Sequence, residues 1–352
     1  MSEPHAGDQP AGSAPSPASQ PPASSPPPDQ DALSGRKFMR WNLVAFLLGL
    51  LALGAGLLAL RGRAEGREGA PDAGGGEASD AGALLFQPRW DDGRAEVARY
   101  AAWRTIYGQE RPYELVRVAV KEPFDPAARV KPDAARPGIP GGASGPGVVD
   151  AIKTVAAHRI GVPPKPYEYR MSLVVRVPRR APDRLLDASM SSQEWCGNTF
   201  VLVRGALPAL PWRREVRGYF DGQADREDGL PEGTILEDQL PLLVRTLDLS
   251  GGPREVTLLP TLLGNKAPDA RPYPARIYRA RADVLVEVPA GRFRADELVV
   301  QATDGTTPAE RPVPRYLVAC TGARALLRYE DGTGRGELTS LERSAYWSEG
   351  GR

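Results

Sequence analysis

The sequence predicts a mainly β (α+β) domain behind an N-terminal membrane segment. The domain is one large antiparallel sheet, curved, half-barrel or sandwich in form, with one or two helices. Three observations carry this reading. An uncharged apolar run, WNLVAFLLGLLALGAGLLAL, fills residues 41–60. Beyond it the apolar residues come mostly in short strand-like runs, and only two stretches have helical spacing. The turn dipeptides Ala290-Gly291, Asp304-Gly305 and Asp331-Gly332 sit between such runs, where hairpin loops belong.

Taken in order, residues 1–37 form a Pro-rich tail. Nine prolines and almost no large apolar side chain lie in residues 1–35, so the segment buries too little surface to offset its chain entropy and is expected to be disordered. A transmembrane helix is expected over residues 38–61. At about 1.5 Å per residue, the apolar run spans about 30 Å, the thickness of a bilayer's hydrocarbon core. Arg36, Lys37 and Arg40 precede it and Arg61, Arg63 and Arg67 follow, so basic flanks alone barely choose an orientation. The run is too long, and lies too far from the start, for an ordinary cleaved signal peptide. It reads as an uncleaved signal anchor, single-pass, with a cytoplasmic N-terminus and an extracytoplasmic C-terminal domain. Residues 62–83 are a flexible Gly/Ala/acidic linker, and residues 84–352 are the extracytoplasmic β-rich domain.

Within that domain GRAEVARYAAWRTIYG (93–108) reads as an amphipathic helix, with Val97, Tyr100, Ala101 and Arg104 at helical spacing. Residues 113–120 read as a strand and 129–147 as a Pro/Gly-rich loop. Further strands are expected at 149–156, 167–177, 185–194, 199–204 and 215–221. After a break they resume at 256–259, 275–281, 284–288, 293–302, 315–320, 325–329 and 337–346. The second helix candidate is TILEDQLPLLVRTL (234–247), where Pro241 kinks the helix or starts a second piece. Short strands joined by tight turns imply antiparallel pairing, and so many in one domain curl or split into two layers.

Composition excludes several functions. The chain carries 45 basic and 44 acidic residues, which argues against a dedicated nucleic-acid binder. It has two cysteines and no CxxC, so a cysteine zinc site has no support. His5 lies in the tail, which leaves His158 as the one histidine of the domain; a two-histidine zinc site is excluded, and a Ser-His-Asp triad would have to use His158. No glycine-rich loop follows a strand and opens a helix, so nucleotide binding has no support. No cofactor is implied.

The densest group of chemistry-bearing residues is SSQEWCGNTF (191–200). One reading makes Cys196 a nucleophile with Glu194 as its polar partner, which requires a nearby base or positive field. The ordinary reading places Trp195 and Cys196 in the core at a strand end, with Gly197-Asn198 as the turn. Cys196 and Cys320 are also a candidate disulfide outside the cytoplasm. The acidic stretch 221–238 has Asp221, Gln223, Asp225, Glu227 and Glu232 at calcium-loop spacing, but Arg226 stands where that loop needs glycine. It reads instead as a solvated loop leading to a helix whose positive end Glu237 and Asp238 favour.

Several segments, in order over about residues 89–347, resemble a family of uncharacterised exported lipoproteins from Bacteroidetes, some of them named septum formation inhibitors. They are RWDDGRAEVARYAAWRTIYGQERPYELVRVAV, PYEYRMSLVVRVP, SSQEWCGNTF, GYF, EDQLPLLVRTL and a final AYW. The QEWCG run followed by YF and ED is the specific part, and it marks Gln193, Glu194, Trp195, Cys196, Tyr219, Phe220, Glu237 and Asp238. The resemblance implies an exported, membrane-tethered β-rich domain and supports the extracytoplasmic placement. The chain departs from the family in using an apolar helix rather than a lipidated cysteine.

The expected function is a non-enzymatic binding or structural role in the cell envelope. The expected partners are the membrane itself and an envelope protein or lipid-like ligand, the latter held on the concave face of a curved sheet; nucleic acid is not among them. The alternative is an extracytoplasmic thiol-dependent hydrolase centred on Cys196.

Overall fold

Fifteen strands pair edge to edge in one sheet among the residues described by the computed structural model, which are 82–132, 147–205, 212–219, 223–226, 230–264, 271–305 and 313–347. The expected tail, the apolar helix over 38–61 and nearly all of the linker lie outside the described residues. Among the described residues no helix is long and apolar enough to cross a membrane. Every described residue belongs to one compact unit, 73–352.

Two 3-10 turns, Leu84–Phe86 and Pro88–Trp90, open the domain. Eight strands follow: β1 (Ala95–Ile106), β2 (Gln109–Phe124), β3 (Val149–Gly161), β4 (Glu168–Pro178), β5 (Asp187–Glu194), β6 (Gly197–Arg204), β7 (Arg213–Arg217) and β8 (Gln223–Arg226). A short strand β9 (Thr234–Leu236), a 3-10 turn (Glu237–Gln239) and helix α1 (Leu240–Thr246) lead to the second set. That set is β10 (Arg254–Leu259), β11 (Tyr273–Val288), β12 (Gly291–Ala302), β13 (Arg315–Ala319), β14 (Leu326–Asp331) and β15 (Gly334–Ser344).

The sheet order is β8-β7-β6-β5-β4-β3-β2-β1-β15-β14-β13-β12-β11-β10-β9. Two meanders therefore run outward from a central seam, where the first strand pairs antiparallel with the last, Ala95 opposite Ser344 and Trp103 opposite Arg335. All pairings are antiparallel except β9 with β10. Period-2 alternation selects the inner face: Ala98, Tyr100 and Ala102 on β1, Tyr113, Leu115 and Ala119 on β2, and Met171, Leu173 and Val175 on β4 all join the main core.

Helix α1 fills the concave face. Its Leu240, Leu242, Leu243, Val244 and Arg245 are all buried, as in a helix enclosed by its own domain. Pro241, Leu242 and Arg245 share a cavity of about 40 Å³ with Ala98 of β1, Ala119 of β2, Ala156 of β3, Leu173 of β4 and Leu326 of β14. Three strands thus present alanine to the cavity beside the helix. Leu236 and Gln239 close the turn before the helix, with the Leu236 N–H donating to Gln239 Oε1 at 2.9 Å.

One ion pair joins this helix to the seam. Arg245 donates from Nη1 to Glu96 Oε1 at 2.7 Å and from Nη2 to Glu96 Oε2 at 3.1 Å. Its Nε donates to the Arg324 carbonyl at 2.8 Å, and Arg324 Nε returns a bond to the Arg245 carbonyl at 2.7 Å. Glu96 also accepts from Arg89 at 3.2 Å. Burial disfavours the ionised Glu96, yet the charge and hydrogen bonds of Arg245 hold its pKa below the usual carboxylate value.

Most expected strands are present, several of them longer. Three expectations are corrected. Residues 95–106 form β1, not a helix. The first half of β1 is buried on both faces, with Ala95 and Val97 packing against Val120 behind the sheet while Ala98 and Tyr100 face the core. That two-sided burial hides the alternation. The expected helix 234–247 is a strand, a 3-10 turn and a seven-residue helix, because Pro241 fits only the first turn of a helix. Residues 275–281 and 284–288 belong to one strand, β11, whose register slips near Asp283, a residue at φ 50°.

Arg245→Met is expected to lower unfolding stability by about 3 kcal/mol, because Glu96 would stay buried without its main counter-charge. The double variant with Glu96→Gln is expected to recover part of that loss. Denaturant titration of the three proteins checks this; equal stability of the single and double variants would contradict it.

Candidate functional site

The residues singled out in the sequence fall into two places. Gln193, Glu194, Trp195, Cys196 and Tyr219 lie at one end of the sheet; Glu237 and Asp238 lie inside it. Phe220 is outside the described residues, as are Asp221 and Glu227, while Gln223–Arg226 of the acidic stretch is the edge strand β8.

The end of the sheet is built by three connections. Glu194 pairs with Gly197, so Trp195-Cys196, not Gly197-Asn198, is the two-residue loop between β5 and β6. Trp195 and Cys196 are therefore exposed rather than in the core, Trp195 at 74 %. Gly197 lies at φ +155°, and a Cβ there would come within 2.3 Å of the Tyr219 ring, so the glycine is what lets that ring lie against the loop. Beside this loop are the β1–β2 turn, with Tyr107, and the β3–β4 connection, with Lys165 and Tyr167.

The aromatic rings of these segments touch. Tyr167 and Trp195 have ring centroids 5.8 Å apart at an interplanar angle of 35°. Tyr169 donates its hydroxyl to that of Tyr107 at 2.8 Å, and the Tyr107 and Tyr167 hydroxyls are 3.1 Å apart. Burial, then the contacts with Tyr107 and Glu194, raise the Tyr169 pKa, so this phenol stays protonated. The Lys165 ammonium stands 4.1 Å above the Tyr107 ring. Between the β3–β4 connection and the β5–β6 loop lies an open cleft of about 670 Å³, walled by Tyr167 and Trp195 and rimmed by Glu168, Arg170, Gln193 and Asn198. Its volume falls within the ~300–1,000 Å³ of small-molecule sites.

Inside the sheet, Glu237 and Asp238 are buried and act on the chain that follows β10. Glu237 accepts from the Thr261 N–H at 3.1 Å and from the Tyr273 hydroxyl. Asp238 accepts from Thr261 Oγ1 at 2.5 Å and from the Leu262 N–H at 2.8 Å. These carboxylates hold a loop rather than cap a helix. Around them runs a polar lining that sequence periodicity did not mark as a group, because its members come from separate strands. Tyr113 meets His158 Nδ1 at 3.0 Å, Tyr316 donates to Asp331 at 3.2 Å, Arg117 lies 5.1 Å from the Tyr329 ring centroid, and Arg104 donates to the Leu263 carbonyl at 3.1 Å. Arg104, Arg117 and His158 do follow the period-2 pattern of the inner face, which is the signal that was available.

Burial pushes Asp238 up to about 7 from 3.8, with Glu237 acting in the same direction against the hydrogen bonds from Leu262 and Thr261. Burial, then the charges of Arg117 and Arg104, hold His158 well below its usual value. Two cavities on the inner face beside α1 measure about 40 and 10 Å³, far below the ~300 Å³ at which ligand pockets begin.

The structure does not bring His158 to Cys196. Register places His158 opposite Met171 and Met171 opposite Ser192. His158 is thus two strands away from β5 and several residues back from the tip, roughly 15 Å from Cys196 at about 4.8 Å per strand and 3.3 Å per residue. No disulfide forms either: Cys196 and Cys320 are both free. Cys320 is half-buried with Asp296 3.6 Å from its Sγ, and burial followed by that carboxylate pushes its thiol up to about 11. Among the described residues no group of three or more His, Cys, Asp or Glu side chains is arranged to hold a metal ion.

No family model and no curated protein matches the chain. Two solved structures are similar to it at low identity. A β-barrel-like protein of the domain of unknown function DUF1849 from Brucella abortus is 8% identical, with a TM-score of 0.41, over 72% of this chain and 98% of that one. A DUF1089 family protein from Pseudomonas aeruginosa is 13% identical, with a TM-score of 0.31, over 51% of this chain and 84% of that one.

The two shifted interior groups act in opposite directions on stability. Asp238 titrates near pH 7 folded and near 3.8 unfolded, so the folded state keeps a proton that the unfolded chain has released, and stability falls as pH rises through that window. His158 is held below 6.5 in the folded state, so the unfolded chain takes up a proton that the buried ring refuses, and stability falls as pH drops below 6.5. Relative to the unsubstituted chain, Asp238→Asn is expected to gain stability as pH rises from about 4 to 7, by roughly 4 kcal/mol at most. His158→Gln is expected to gain stability as pH falls below about 6.5. Denaturation at a series of pH values checks both; profiles parallel to that of the unsubstituted chain would contradict them.

Proposed function

We propose that the chain is a membrane-anchored, extracytoplasmic binding module of the cell envelope, non-enzymatic, whose binding surface is the aromatic cleft at the β5–β6 end of the sheet. The observation that carries this reading is the contrast between that end and the interior. Beside α1 on the inner face the cavities among the described residues measure about 40 and 10 Å³, whereas the end carries a cleft of about 670 Å³ walled by an exposed Trp195. Exposed aromatic side chains gathered around a concavity are what binding surfaces use, because they offer large contact area at low entropy cost.

The apolar run over 41–60 supports the anchor, and the resemblance of the QEWCG, YF and ED segments to exported lipoproteins supports the side of the membrane. A thiol hydrolase gains no support: Cys196 sits at an exposed loop without His158, and a cysteine nucleophile needs a base or a positive field.

Cys196 supplies the test. A membrane-impermeant maleimide added to spheroplasts expressing the full chain is expected to label it fast, and Cys196→Ser is expected to abolish the fast labelling, since the Cys320 thiol is held at about 11. Labelling only after the cells are lysed would overturn the extracytoplasmic placement.

A further inference from the structure

We infer that the cleft between the β3–β4 connection and the β5–β6 loop is a saccharide site, taking a sugar whose ring stacks on Trp195; this rests on reading the cleft as the binding surface. Three observations point to that ligand class.

The first is the shape of the apolar wall. The Tyr167 and Trp195 rings lie against each other, with centroids 5.8 Å apart and planes tilted by 35°, and both line the cleft, Trp195 exposed and Tyr167 half-buried. The electron-rich face of an aromatic ring attracts the polarised C–H bonds that line one side of a pyranose. A flexible acyl chain asks instead for an enclosed trough, which this open cleft is not.

The second is charge. Lys165 and Arg170 line the cleft together with Glu168 and Glu194, so both signs of charge are present there. Arg170 donates to Glu168 at 2.7 Å, and Arg159 donates to the other Glu168 oxygen at 2.5 Å, which fixes that carboxylate in place. Alongside them Gln193 and Asn198 each offer both a donor and an acceptor at the rim. A mixture of fixed donors and acceptors beside an aromatic wall matches a ring bearing several hydroxyls.

The third is that both loop tips carry aromatic residues against local preference. Two-residue hairpin loops favour Asn-Gly or Asp-Gly, yet the β5–β6 loop is Trp195-Cys196 and the β1–β2 turn is Tyr107-Gly108. Tyr107 sits at φ 53°, a conformation unfavourable for a bulky side chain. Its hydroxyl contacts those of Tyr167 and Tyr169, which locates it as a positioning residue behind that wall.

The test is titration of the full chain in detergent micelles with maltotetraose and with the tetramer of N-acetylglucosamine, followed by calorimetry and by tryptophan emission. Saturable binding with a Kd of about 1 mM or tighter is expected for at least one sugar, with a blue shift as Trp195 is covered. Trp195→Ala is expected to weaken binding by at least about tenfold while the Tm stays unchanged, and Trp195→Phe to restore most of it. Binding unaffected by Trp195→Ala would overturn the site. A proline-rich decapeptide is the parallel probe, since aromatic grooves also take that class. If the peptide shifts Trp195 emission and neither sugar does, the saccharide is rejected and the cleft stands as a binding surface. Silence from the sugars and the peptide alike overturns both.

Discussion

The Glu96–Arg245 pair is the interaction on which the arrangement of this domain depends. It is buried at the seam where the first and last strands meet, and it reaches from that seam to the helix inside the sheet. A buried ion pair is an expensive way to gain stability, since desolvating two charges costs several kcal/mol before their attraction offsets it. Its value here is positional. Arg245 spends its donors on Glu96 and on the carbonyls of Ala323 and Arg324, while Arg324 bonds back to the Arg245 carbonyl. The clasp ties the helix to β1 and the β13–β14 connection, and the alanines at positions 98, 119 and 156 line the small cavity beside it.

A filled interior has chemical consequences. Ionisable groups on the inner face are removed from solvent, so Asp238 and His158 titrate far from their ordinary values without thereby being catalytic. Shifted groups often mark active sites, but each of these has a structural partner. Asp238 holds residues 261 and 262, and His158 is bonded to Tyr113. The cavity that touches both is about 10 Å³, smaller than any ligand pocket. Perturbation without space argues for a role in the fold.

Much of the sheet was legible because strands such as β4 and β6 alternate cleanly and turn residues bound the apolar runs. β1 was not, because it is buried on both faces where α1 and Val120 flank it, and an Ala-rich strand of that kind mimics a helix. The seven-residue α1 was overread for a related reason: Ile235 and Leu236 continue its apolar pattern but belong to a parallel strand beside β10. The QEWCG segment was legible as unusual but not as exposed. Trp and Cys are ordinarily core residues, and only the Glu194–Gly197 pairing puts them in the loop. The cleft itself was not readable, since Tyr107, Tyr167 and Trp195 come from three hairpin connections that only the strand order brings side by side.

The same strand order fixes where the cleft lies relative to the start of the domain. Arg179, just past the end of β4, donates to the Leu85 carbonyl at 2.7 Å and to Asp91 at 2.7 and 3.0 Å. The opening segment is thereby tied to the end of the sheet where β4 finishes and β1 begins. Tyr107, Tyr167 and Trp195 stand where β1 finishes and β4 begins. β4 has 11 residues, which at about 3.3 Å each separates the two ends by roughly 35 Å. The paired strands between them form a stiff spacer with the chain entering at one end and the aromatic cleft at the other.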